Sequence, residues 1–130
     1  MYTKTTHQIC VTVEPLFLED QSLPLSNHYV WAYQIWIENQ GQKTVQLLSR
    51  IWRITDGNGI RHEIRGEGVV GEKPVLAPGE TYHYTSGSPL STPSGVMEGS
   101  YGMKTQEGES FDVEIPAFSL DSPYETAVVH

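Results

Sequence analysis

The stretch Gly66–Gly102 reads GEGVVGEKPVLAPGETYHYTSGSPLSTPSGVMEGSYG, and its reading decides the fold. Its first six residues set glycines at 66, 68 and 71, the spacing of a dinucleotide-binding turn. In a parallel α/β unit those glycines permit a tight turn, a close approach to pyrophosphate, and a helix whose N-terminus holds the anion. The residues that follow exclude that unit. Pro74 and then Pro78-Gly79 leave no room for a helix of useful length, and no Asp or Glu stands between positions 86 and 94 to hold a ribose. With 12 glycines in 130 residues, three at this spacing recur by chance in about one chain in ten. What survives is a glycine-rich loop between strands, or a nest of backbone N–H groups for a polyphosphate, flanked by Arg65 and Lys73 but opposed by Glu67 and Glu72.

Outward from this stretch, period-two alternation dominates. Ile9, Val11 and Val13 alternate with polar neighbours, as in a half-buried strand. Tyr29, Trp31, Tyr33, Ile35 and Ile37 share one face of a second strand, in residue types that suit a pleated surface. Val45–Thr55 reads as a third, whose phase shifts near Ser49-Arg50 and so predicts a bulge. Asp56-Gly57-Asn58-Gly59 supplies a tight hairpin turn into Ile60–Arg65. Strands at 80–86 and 96–105 follow, and Phe111, Val113 and Ile115 mark the last. Seven strands in a single 130-residue domain, with a core over about 8–120 and a tail over 121–130, predict two antiparallel sheets packed face to face. A closed barrel is the competing arrangement.

Composition narrows the function. Eight basic against sixteen acidic residues give a net charge of −8, which argues against nucleic acid and against anionic membrane surfaces. No apolar run is long enough for membrane insertion. The lone Cys10 and an N-terminus without an apolar segment point to the cytoplasm.

Chemistry-bearing motifs are sparse. No Gly-x-Ser-x-Gly elbow and no Cys-x-x-Cys or His-x-His spacing occurs, and His62 and His83 read as strand or rim residues. The expectation is a chain with no catalytic residue, no metal site and no cofactor. Aromatic residues are the better lead, because side chains of this type left on a sheet face anchor recognition. Trp36 points away from the face that Trp31 and Tyr33 occupy. Trp36, Trp52 and Tyr84 are therefore the candidate interaction surface. Bare sheet edges would also allow a homodimer by strand pairing.

Longer blocks carry a resemblance. IENQG (Ile37–Gly41), LLSRIWRITDGNG (Leu47–Gly59), GEGVVGEKPVLAPGE (Gly66–Glu80), YTSGSPLSTPSGVMEGSYGM (Tyr84–Met103) and FDVEIPAFSL (Phe111–Leu120) together resemble the ApaG family in order and spacing. The resemblance implies a fibronectin type III or immunoglobulin-like β-sandwich. It also implies an association with cobalt resistance and magnesium efflux, which a sandwich would serve indirectly, with divalent cations themselves as a further ligand class. Similar domains are appended to F-box proteins and to a polymerase-delta-interacting protein, where they resemble interaction modules. The family brings no established catalytic residues, and its glycine signature falls on Gly66, Gly68 and Gly71 as a candidate pyrophosphate site. The leading expectation is a non-enzymatic module for an unidentified protein partner; the alternative is nucleotide or pyrophosphate binding at Gly66–Gly71.

Overall fold

A computed structural model describes residues 1–124; residues 125–130, the outer part of the expected tail, lie outside the described residues. The strands are β1 (Tyr2–Thr6), β2 (Ile9–Phe17), β3 (Tyr29–Asn39), β4 (Val45–Asp56), β5 (Arg61–Glu67), β6 (Val75–Leu76), β7 (Thr81–Leu90), β8 (Ser94–Thr105) and β9 (Ser110–Asp121). They form two antiparallel sheets, ordered β1-β2-β3-β7 and β5-β4-β8-β9, with β6 paired to β4. The chain is thus a β-sandwich rather than a closed barrel. The described residues hold nine strands instead of seven: β1 and β6 are additional, and β7 and β9 run on through Pro89 and Pro116. These two strands end their sheets, where proline is tolerated, whereas β2, which carries Pro15, lies between two paired neighbours.

Alternation builds the core. On β3 the odd residues Tyr29 to Asn39 are buried while the even ones are half-buried. Val11, Val13 and Ile35 from this sheet meet Tyr101, Val113, Ile115 and Phe118 from the other. Each such side chain contributes roughly 1.5–3 kcal/mol on burial. Ion pairs such as Lys43 with Glu107 and Glu109 are exposed and worth far less each. Packing holds the sandwich.

The predicted bulge is present, between Leu47 and Ser49, where the pairing of β4 with β8 shifts register. Its consequence is large. Val45 and Leu47 face the core before it, and Arg50, directly opposite the fully buried Tyr101, shares the inner face after it, with Trp52 and Ile54. The extra residue keeps that face continuous and brings an arginine onto it.

The two lateral sides differ. On one, β1 and β9 are joined by Lys4 Nζ to Glu114 Oε2 at 2.7 Å and by the Glu114 N–H donating to Thr6 Oγ1 at 3.3 Å. On the other, β5 and β7 end their sheets and leave a cleft between them. The predicted hairpin before β5 is closed by Asp56, whose Oδ1 accepts the N–H groups of Asn58 and Ile60 at 2.9 and 3.0 Å.

Candidate functional site

The glycine motif folds as a hairpin turn. Val69 and Glu72 exchange N–H···O=C bonds of 2.8 and 2.9 Å, and the two residues between them, Val70 and Gly71, are left-handed at φ 44° and 82°. Positive φ at both central positions is the primed turn that suits a twisted hairpin. Gly68 lies so close to the far strand that a β-carbon there would sit 2.2 Å from the Glu72 carbonyl oxygen. The N–H of Gly68 donates to Leu48 O at 2.9 Å. The amides of residues 68, 69 and 72 are thus engaged internally and do not converge on an anion. Arg65 and Lys73 are paired with Glu63 and Glu67. The turn thus places Gly66, Gly68 and Gly71 in the backbone of a hairpin, with Arg65 and Lys73 on its flanks.

Two of the three expected surface aromatics are inside. Trp52 is 4% and Tyr84 7% exposed. The bulge turns Trp52 onto the inner face, where it packs on Tyr33 and Phe118. Tyr84 lies opposite Ile35 on the inner face of its own sheet. Trp36 is on the outer face as expected, half-buried and stacked on His83 at 4.7 Å.

The concave feature with convergent polar groups is the cleft between β5 and β7. Its inner part, about 240 Å³, is bounded by Tyr33, Arg50, Trp52, Tyr84 and Ser86, with Val69 and Val70 above them. It opens into an outer part of about 710 Å³ beside His28, Arg61 and His62, and the two share Ile54, Ile64 and Ser88. Two apolar side chains on it stay exposed, Ile64 at 47% and Val70 at 55%. Val70 is also a β-branched residue at positive φ, a conformation that costs about 1–3 kcal/mol. An exposed apolar side chain held under strain suits a contact site better than it suits stability.

Arg50 organises the inner cleft. Its Nη1 donates to the carbonyls of Glu67 and Gly68 at 2.9 and 2.7 Å. Gly66 gives the guanidinium its seat, since a β-carbon there would lie 2.7 Å from Arg50 Cζ. Burial pushes the hydroxyl of Tyr84, across the cleft, and that of Tyr101, beside Arg50 in its own sheet, well up from their ordinary value. Burial also raises Tyr33, partly offset by the neighbouring Ser86 hydroxyl and by the Arg50 charge. All three stay protonated at neutral pH and can donate. Arg50, Tyr33 and Ser86 were missed as site residues in the sequence. The one local signal was the phase shift at Ser49-Arg50, which predicted a bulge there.

A second depression, about 350 Å³, lies under the β1–β2 turn beside His7, Gln8 and Lys43. Its cation is tied to Glu107 and Glu109. Among the described residues no three His, Cys, Asp or Glu side chains gather as a metal site, and no helix is long and apolar enough to cross a membrane.

The sequence pattern of the ApaG domain matches residues 19–105. The chain belongs to the ApaG domain family. It is similar to Protein ApaG of Parvibaculum lavamentivorans, 57% identical over the whole of both chains. It is also similar to Protein ApaG of Paramagnetospirillum magneticum, 59% identical over 96% of each. A Bordetella pertussis crystal structure carrying the name ApaA superimposes with a TM-score of 0.87 at 45% identity, covering 92% of this chain and 97% of that one. The C-terminal domain of Wzt, at 10% identity and a TM-score of 0.57, shares the fold alone.

Proposed function

We propose that this ApaG-family chain is a non-enzymatic binding module of the cytoplasm that receives a segment of a partner protein along its open β5–β7 side. Its setting is cobalt resistance and magnesium homeostasis, as the family resemblance implies, with the cations handled through the partner. The observation that carries this reading is the asymmetry of the sandwich: one side is joined by Lys4–Glu114, and the other leaves two terminal strands flanking a cleft. Terminal strands offer unpaired N–H and C=O groups for strand addition, while side-chain pockets beside them set specificity. Ile64 and Val70 supply apolar contact on the same side.

The test is quantitative co-purification from growing cells. Ile64→Glu and Val70→Glu change exposed side chains, and Lys4→Glu on the opposite side serves as control. A partner recovered with the parent chain and the control, but depleted by both cleft variants, supports the reading. Equal recovery with all four chains contradicts it. Sedimentation of the purified chain shows whether a second copy, pairing edge to edge, is the occupant instead.

A further inference from the structure

The inner cleft holds a guanidinium whose binding capacity the fold uses only in part. Nη1 is occupied by the two carbonyls of the glycine turn. Nε and Nη2 have no hydrogen-bond partner among the described residues, and neither is an atom sealed from solvent. No carboxylate of the described residues lies within ion-pairing distance of Arg50, although Arg53, Arg61 and Arg65 on the same two strands are each paired. In a chain with twice as many acidic as basic residues, an inward-facing arginine left without a counter-ion stands out. A partly buried charge is costly unless it is matched.

We propose that the inner cleft is a carboxylate-binding site, in which the Nε–Nη2 edge of Arg50 and the hydroxyls of Tyr33 and Ser86 receive one acidic side chain of a partner segment. The free edge presents two parallel donors, the geometry that pairs with the two oxygens of a carboxylate. The surrounding donors are neutral hydroxyls, so the site offers one positive charge for one negative charge. A phosphate or pyrophosphate carries more charge than Arg50 balances; on the turn beside it Lys73 is matched by Glu67, and Glu72, which accepts from Tyr82, adds a further negative charge. The inner cavity opens past Ile64 into the larger outer one. A chain can therefore pass along the groove and lower a side chain inward, while Val70 and Trp52 contact its methylenes. That the carboxylate belongs to a protein segment rests on the function proposed above; the chemistry of the cleft does not.

The cleft is tested on the purified full chain, without a partner. Spectra reporting Arg50 Nε, the Trp52 indole and the Val70 methyls are followed during titration with four probes. N-acetylglutamic acid α-amide has the side-chain carboxylate alone, N-acetylglutamine has the α-carboxylate alone, N-acetylglutamine amide has neither, and the fourth is pyrophosphate. The expected result is saturation by roughly 50 mM with the first probe and weaker or no saturation with the others. Arg50→Lys should weaken binding by about tenfold or more. Ser86→Ala, which leaves the Arg50 seat on the turn intact, should weaken it about fivefold. No saturation with the side-chain probe, equal shifts with the uncharged amide, or tighter binding of pyrophosphate or the α-carboxylate would each overturn the assignment. Because these outcomes are read without a partner, the cleft can fail while the co-purification result stands, and the reverse.

Discussion

The Tyr84 and Tyr101 hydroxyls lie 2.6 Å apart and join the two sheets behind the open side. Both rings are buried, Tyr101 completely. Removing one hydroxyl strands the other in the core. Tyr101→Phe should therefore destabilise the fold by about 1–3 kcal/mol, whereas the double change to Phe at 84 and 101 should cost less than the sum of the singles. Denaturant unfolding of the three variants measures this coupling directly.

The same pair sets an alkaline limit. Burial raises both hydroxyls above their ordinary 10.0 in the folded chain. The unfolded chain releases these protons first, so it binds fewer protons than the folded chain above that pH. Their contribution is intact below pH 10 and is lost as pH climbs toward the folded values, by up to about 1.4 kcal/mol per pH unit for each tyrosine. Unfolding measured from pH 8 to 11 should steepen above 10 in the parent and flatten in the double Phe variant.

The glycine turn predicts opposite signs at neighbouring positions. Gly68→Ala adds a β-carbon 2.2 Å from the Glu72 oxygen at φ +61°, and should cost about 2–4 kcal/mol. Val70→Gly removes a β-branched residue from φ 44° and should stabilise by about 1 kcal/mol. It should also lower recovery of the partner, because it deletes an apolar contact on the cleft. Thermal unfolding and co-purification of this one variant separate the two effects.

Strain of the same kind sits at the β1–β2 hairpin. His7 and Gln8 are both left-handed, at φ 50° and 65°, where the turn type favours Asn-Gly. Replacing the pair, His7→Asn with Gln8→Gly, should raise stability by about 1–2 kcal/mol, read as a higher midpoint in urea. An unchanged midpoint would mean that the turn carries no such strain.

That hairpin also shows where local pattern stops being informative. Alternation announced β3 and β9, and the phase shift announced the bulge on β4, because each follows from the two-residue period of a strand. β1 went unread because its turn, His7-Gln8, lacks the glycine or asparagine that marks such turns. β6 is two residues long, too short to show a period. The cleft was illegible for another reason. Whether Trp52 and Tyr84 face the core depends on pairing between strands far apart in sequence, and Arg50 meets Tyr33 and Tyr84 only once the two sheets close on each other. The residues Gly66–Gly71 were visible from the start, and in the fold they turn the chain and seat a guanidinium.

Recognition through the β5–β7 side has a direct consequence in cells. It is read by site-specific photocrosslinking, with a photoreactive residue placed in turn at Ile64, at Val70 and at Lys4 on the joined side. The expected result is one covalent adduct shared by positions 64 and 70, absent from position 4 and diminished by Arg50→Lys. An adduct formed equally well from Lys4, or formed at Lys4 alone, would contradict it.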